Sequence, residues 1–431
     1  VGNVYNRWSV DCVSRSIDIA AIKKKIVVRE ETTTQAVIFD DGYFFVIFLN
    51  YEIEMLCEEN RAMKVALVHD WLTGMRGGEK ILEVFCELFP DATIFATIHN
   101  KGTMSPVIER MKIKTSFIQD LPLKATKYRN YLPLMPAAMD ALDFSEYDFI
   151  LSTSVAVAKA AKPRSGAMHI CYCNTPMRYI WDQYEEYFGN DRAGIVTRTA
   201  MSLIAPYLRR WDVRTCDRVH YFIANSRNVA ERISRIYHRT SDVIYPPVST
   251  DAFTVSHKDD GYYLIVSALV PYKRVDLAVE TFNRFGERLL IVGSGPEMEK
   301  LKKMAKKNIE FLGWQSDENL VKLYAGCLAL IFPGVEDFGI VPLEAMASGK
   351  PVVAFAKGGA LETVVGDGDI PTGVFFHRQM VEALIEAIRA LPKMKFDPYA
   401  IRRHAEKFDR KEFKRQIAEY VMKQLPVSIC T

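Results

Sequence analysis

The sequence predicts an α/β protein with two doubly wound parallel sheets facing a cleft, and three observations carry that prediction. Short apolar, β-rich runs alternate with segments of helical period, which is the pattern of a parallel sheet covered on both faces. The alternation restarts after the Pro-rich segment Val243-Ile-Tyr-Pro-Pro-Val248, so the unit occurs twice. In each unit the first strand runs straight into a loop and then a helix, which gathers ligands at strand C-termini. A chain of 431 residues is long enough for two such cores.

The elements follow in order. Residues 1–62 stand apart, and Met63 followed by a buried-strand pattern reads as a natural start. The expectation is that translation begins at Met63 and that 1–62 is an extension from a misassigned start. The rival is an accessory β-rich element, because 36–51 has strand character. A first Rossmann-like domain is expected over 63–245: strand 64–68, loop 73–78, amphipathic helix 79–89, then strands at 93–96, 149–152, 169–172 and 221–224. A second is expected over 246–400, with strands at 262–267, 289–293, 309–312, 328–332 and 351–355 and helices at 275–285 and 297–306. A last helical stretch within 401–431 caps the assembly.

Bulk properties narrow the class. Hydrophobic residues make up 49% and charged residues 25%, an ordinary globular composition, and a net charge of +3 gives no argument for nucleic acid. Eight cysteines are scattered, mostly inside apolar runs, which points to a reduced, cytoplasmic setting. Cys171 and Cys173, one residue apart with no second pair, read as buried strand residues rather than metal ligands. The apolar run 43–49 is too short to span a bilayer, and no signal-peptide pattern is evident. No Asp-x-Asp cluster stands where a cleft metal would need it, and Asp259-Asp260 reads as a loop.

The densest information lies in 333–349, where Glu336 and Glu344 are separated by seven residues. Gly339 supplies backbone freedom, Pro342 suits the first helical position, Glu344 falls in the first turn, and Gly349 suits the stop. A helix opening here points the free N–H groups around Gly339, Ile340 and Val341 at the cleft, together with a positive dipole end, and a diphosphate fits that site. Ionised carboxylates only accept hydrogen bonds, so Glu336 suits a sugar hydroxyl and Glu344 a ribose. The ordinary alternatives are a Glu344 that merely favours its helix and a solvated Glu336.

This stretch resembles the E-x7-E signature of retaining nucleotide-sugar glycosyltransferases with the GT-B fold, the group-1 family (family 4). The match includes Asp337-Phe-Gly339 and the Glu344-Ala-Met-Ala-x-Gly-x-Pro-Val run, and it extends over about residues 63–424. The resemblance implies that Thr73-Gly-Met-Arg-Gly-Gly78 is the glycine-rich loop across the cleft, with Gly77 and Gly78 admitting a diphosphate or the acceptor. By itself that loop is a weak phosphate-loop signal and reads as a tight βα turn. The same resemblance makes 267–276 the donor-phosphate loop, with Lys273 steadying the departing diphosphate. Many members have an arginine where Ala268 stands, and Arg274 or Arg76 are the cations available to replace it. Asn174 occupies a position where relatives carry a histidine; it can touch the sugar but cannot titrate. Segments 223–228, 244–248 and 357–362 also match, whereas 293–297 reads as a β-to-α turn.

The implied reaction is retaining transfer of a hexose without metal or other cofactor, the departing phosphate taking the proton of the incoming hydroxyl. The terminal helix is expected to cross back to the first domain. Similarity of His69-Asp-Trp-Leu-Thr-Gly74, Pro176-Met-Arg-Tyr179 and Val270-Pro-Tyr-Lys-Arg274 to mannosyltransferase-like members favours GDP-mannose as donor and a polysaccharide or lipid-linked glycan precursor as acceptor. A basic, apolar stretch from Lys112 to Arg129 and on through 131–136 suits an anionic membrane surface at the inner face, or simply a solvated face beside a core helix. Two rivals remain: a nucleotide-sugar 2-epimerase of the same fold, and a catalytically degenerate nucleotide-sugar binder.

Overall fold

A computed structural model describes residues 63–124, 128–189 and 194–425, so both readings of 1–62 lie outside the described residues. The first sheet has seven parallel strands in the order β3-β2-β1-β4-β5-β6-β7. They are β1 (Val65–His69), β2 (Thr93–Ala96), β3 (Lys112–Thr115), β4 (Phe149–Ser154), β5 (Met168–Cys173), β6 (Tyr221–Ala224) and β7 (Asp242–Val243). The second has six, in the order β10-β9-β8-β11-β12-β13. These are β8 (Tyr262–Val266), β9 (Leu289–Val292), β10 (Ile309–Gly313), β11 (Cys327–Phe332), β12 (Val352–Phe355) and β13 (Gly373–Phe376). In each sheet the strand order reverses beside the first strand, β1 or β8, and a crevice opens there at the strand C-termini.

β1, β4 and β5 are buried along their whole length, including the polar Ser152, Thr153, Ser154 and His169 that interrupt their apolar runs. The edge strand β3 has no such run: its sequence is Lys-Ile-Lys-Thr and it is half-buried to exposed. Each sheet is packed on both faces by helices, and a further cluster around Phe222 and Ile233 flanks β5 and β6 of the first sheet.

Six helices position the site. They are α1 (Gly77–Leu88), α2 (Ile195–Arg214), α3 (Arg227–Tyr237), α4 (Val275–Phe285), α5 (Ile340–Ala347) and α6 (Arg410–Gln424). α1 begins two residues before the expected 79, because the Glu79 carboxylate reaches back to accept the Arg76 N–H at 3.1 Å and fixes the first turn. α6, capped by Asp409, returns to the first sheet and buries Phe413, Ile417 and Val421 there. Phe413 lies 6.3 Å from the Phe85 ring and 5.6 Å from Tyr172, and Arg410 pairs with Glu83 and Glu87 of α1 at 3.3 and 2.5 Å.

Candidate active site

The site is assembled where β8 and β11 end. After β11 the chain forms a loop that presses on the turn Pro271–Lys273 before entering α5. Gly334 makes this approach possible: a Cβ there would lie 2.7 Å from the Lys273 Cα. The close passage brings the Lys273 ammonium onto the Glu336 carboxylate as an ion pair. Together with Ser267 and Gly334 they line a small pocket. The Glu336 main chain is fixed from the other side by the 357–362 segment, whose Gly359 N–H donates to the Glu336 carbonyl at 2.9 Å. Only glycine fits at 359, because a Cβ would fall 2.2 Å from Phe338 Cα.

Gly339, at φ +99°, caps α5, which starts at Ile340. This corrects the expected register. Pro342 is the third helical residue, not the first, and Glu344 lies in the second turn. Proline is accommodated there because none of the first four helical N–H groups has a partner within the helix. The helix stops as expected. Gly349 at φ +75° donates to Met346 O at 2.8 Å, and Lys350 N–H donates to Ala345 O at 3.0 Å, a complete Schellman stop.

Set back by one turn, Glu344 is held by its neighbours. It accepts from the Tyr324 hydroxyl at 2.7 Å and faces the Lys80 ammonium of α1 at 3.8 Å across the cleft. Burial, reinforced by Glu344, raises the Tyr324 phenol well above its usual range, so it stays a donor.

The facing wall is the N-terminus of α1. A Cβ on Gly77 would come within 3.4 Å of Ile340 Cδ1, so the first turns of α1 and α5 oppose each other directly. A Cβ on Gly78 would lie 3.2 Å from His69 Cε1 and 4.0 Å from Asn174 Nδ2. Gly78, His69 and Asn174 therefore form one continuous floor. Asn174 is buried, with its amide donating to Thr153 Oγ1 at 2.9 Å. Behind it His69 Nε2 lies 3.6 Å from Glu79 Oε1. Burial alone would lower the His69 pKa, but Glu79 and Asp70 outweigh it and hold the imidazole above its ordinary value. Asp70 in turn anchors the turn after β4, accepting from the N–H groups of Val155, Ala156, Val157 and Ala158 at 2.5–3.2 Å.

Arg274 and Arg76, named as replacements for the cation absent at Ala268, are engaged elsewhere. Arg274 donates to Asp276 at 3.2 Å and Gln379 at 3.3 Å, and Arg76 donates to the Tyr128 hydroxyl at 3.5 Å. Cys171 and Cys173 are buried free thiols on β5, and burial pushes Cys171 up to about 12.

Sequence reasoning missed three contacts that join the two walls. Asp337 accepts from Arg178 at 2.8 Å and also pairs with Arg232, which reaches Thr175 at 3.1 Å and Asp182 at 2.9 Å. Glu362 accepts from the N–H groups of Arg227 and Asn228 at 2.8 and 3.0 Å, filling the N-terminus of α3. Lys80 and Glu344 are the third. Asp337 stands beside Glu336 in the signature, but its partners are 159 and 105 residues away, and no local pattern names them.

Comparison with known proteins gives this cleft its context. Residues 250–412 match the family described as glycosyl transferases group 1. The chain is 29% identical over 259 residues to alpha-1,3/1,6-mannosyltransferase ALG2 of Mus musculus, covering 50% of this chain and 61% of that protein. It is 28% identical over 159 residues to O-antigen chain mannosyltransferase RfbU of Salmonella typhimurium, covering 34% and 44%. The chain spans about half the length of the curated relatives it matches. Among solved structures, Anabaena Alr3699/HepE in complex with UDP superimposes with a TM-score of 0.61 at 17% identity, over 84% of this chain and 100% of that one. Residues 250–412 thus carry a domain similar to group-1 glycosyltransferases, including the residues of its signature, and the two-sheet architecture of the chain is the GT-B fold.

Proposed function

We propose that the chain transfers a hexose from a nucleotide diphosphate donor, GDP-mannose foremost, to a hydroxyl of a polysaccharide or lipid-linked glycan precursor, with retention. The observation that carries this reading is the convergence on one cleft of two opposed helix N-termini and the Lys273–Glu336 pair. Unpaired N–H groups at the start of α5, around Gly339, Ile340 and Val341, suit the donor diphosphate, and Gly77 and Gly78 leave room for it on the facing wall. Glu344, already oriented by Tyr324, takes the ribose hydroxyls. Binding separates Lys273 from Glu336: the ammonium turns to the phosphate and the carboxylate accepts from the sugar. Asn174 contributes a hydrogen bond to the sugar and no proton transfer.

In the chemical step the bond from the anomeric carbon to the phosphate oxygen breaks and the bond to the acceptor oxygen forms on the same face. The acceptor proton passes to the departing phosphate. Lys273 and the α5 dipole stabilise the negative charge that gathers there. The neighbour in complex with UDP supports a nucleotide-bearing donor, and the two relatives named as mannosyltransferases support mannose.

A second reading is a nucleotide-sugar binder without turnover. It is favoured by one observation: Ala268 offers no cation, and Arg274 and Arg76 are both engaged elsewhere. Calorimetric titration of the full chain with a panel of nucleotide sugars, alongside Glu336→Ala and Glu344→Ala, tests the proposal. Selective binding of GDP-mannose, weakened by either substitution, is the expected result. Absence of binding to every donor by folded protein defeats both readings, and binding with no product from any acceptor supports the second.

A further inference from the structure

The outer layer of the first domain carries an apolar face that no other described residue covers. On the solvent side of α2, Val196, Ala200, Leu203 and Tyr207 are spaced as one helical stripe. Val196 is 79% exposed and Leu203 76%, with Ile195 beside them at 75%. The stripe runs on into exposed Arg210 and Arg214, and Asp212, the one carboxylate within 194–214, is buried. The same layer exposes Phe117, Leu123 and Leu134, whose neighbours Ile118 and Leu132 share a core cluster with Met201 and Leu208 of α2. Of the fifteen large apolar side chains exposed among the described residues, four (Ile195, Val196, Leu203 and Tyr207) therefore sit on α2, and three more lie in segments that share its core cluster. Scattered exposed apolar residues are ordinary; a concentration of this kind marks an interaction surface.

We propose that this face docks the protein on an anionic bilayer, with α2 lying in the interfacial plane. Its apolar stripe enters the acyl boundary while Arg210 and Arg214 meet the headgroups. The charge pattern selects this occupant, because the exposed charge along α2 is of one sign. The basic stretch beginning at Lys112 adds apolar side chains beside α2. There Lys114 stacks 5.3 Å over the Phe95 ring, and Lys124 is bonded to the Gln119 carbonyl. Docking is coupled to the cleft through Arg209, which donates to the Ile180 carbonyl at 2.7 Å in the loop that carries Asn174. The inference requires nothing about the donor.

Co-sedimentation of the full chain with vesicles of phosphatidylglycerol and phosphatidylcholine, against phosphatidylcholine alone, is the test. Binding to the anionic vesicles, weakened by salt, is expected. Val196→Glu/Leu203→Glu should lower apparent vesicle affinity by at least roughly tenfold with an unchanged circular dichroism spectrum and melting temperature. Leu361→Glu, at an exposed site of the second domain, should change nothing. Failure of the wild type to co-sediment, equal binding by the double variant, or self-association that Leu203→Glu abolishes without any vesicle binding would each overturn the proposal. Donor titration of the same preparation separates the two claims: donor binding without vesicle binding defeats only this one, and the converse defeats only the transferase reading.

Discussion

Replacing Asp337 by alanine removes a carboxylate that two guanidiniums of the first domain share, Arg178 at 2.8 Å and Arg232. The side chains are largely out of solvent, with exposures of 24%, 17% and 10% for Arg178, Arg232 and Asp337, so salt screens them less than a surface bridge. At an effective dielectric of ~20, opposite charges ~4 Å apart attract by about 4 kcal/mol before desolvation. Removing one partner of a buried pair typically costs about 3–5 kcal/mol, because the other charge is left uncompensated. Partial exposure argues for the lower end, about 3 kcal/mol. The penalty falls on the contact between the domains and not on either core, since Asp337 follows β11 while Arg178 and Arg232 belong to the first domain. A shift of about 3 kcal/mol changes the closed-to-open ratio by roughly 150-fold, and apparent donor affinity falls with the closed fraction. Small-angle scattering and donor titration read the two consequences. Asp337→Ala should increase the radius of gyration and weaken donor binding, and Asp337→Ala/Arg178→Ala should cost less than the sum of the single changes. An unchanged radius and unchanged affinity would refute the assignment of these ion pairs to cleft closure.

Three other outcomes follow from single contacts. Tyr324→Phe deletes the hydroxyl that orients Glu344; a loss of about 1 kcal/mol, or roughly fivefold in nucleotide affinity by calorimetry, is expected with little change in melting temperature. Gly334→Ala drives a methyl into the Lys273 backbone, and the displaced pair should reduce turnover by about 100-fold while the fold survives, as steady-state kinetics and circular dichroism would show. His169 is buried, bonded to the Arg218 carbonyl through Nδ1 at 3.0 Å and to Ser152 Oγ through Nε2 at 2.8 Å. A carbonyl only accepts, so Nδ1 carries the proton and Nε2 accepts from Ser152; burial lowers the pKa to about 3. Because the folded value lies below the unfolded one, the unfolded chain binds more protons as pH falls from ~6.5 toward ~3. This residue's contribution to stability, complete above ~6.5, is lost by up to about 1.4 kcal/mol per pH unit. Urea denaturation at several pH values should show a shallower acid decline in His169→Asn.

The two-sheet architecture was legible because buried parallel strands such as β11 and β12 are apolar throughout, and β1 and β4 open on apolar runs. Three strands escaped: β3 alternates lysine with smaller residues, β7 has only two residues, and β13, Gly-Val-Phe-Phe, is apolar but only four residues long. The start of α5 was misplaced by two residues because proline is tolerated anywhere in a first helical turn, so Pro342 alone cannot mark its first position. Lys273 and Glu336 were both singled out, yet their mutual contact depends on Gly334, whose role is visible only when the loop and the turn are packed together. The partners of Asp337, Glu362 and Lys80 were invisible for a related reason. Each acts on the opposite domain, and interdomain pairing leaves no periodicity in a single sequence.

The central claim is transfer with retention, and it is tested most directly by incubating the full chain with GDP-mannose and a panel of lipid-linked glycan acceptors, then recording the proton NMR spectrum of the product. The account predicts a new α-mannoside, matching the α configuration of the donor, formed by the wild type and reduced by at least about 100-fold in Lys273→Ala. A β-configured product, or a Lys273→Ala variant that turns over at the wild-type rate, would contradict it.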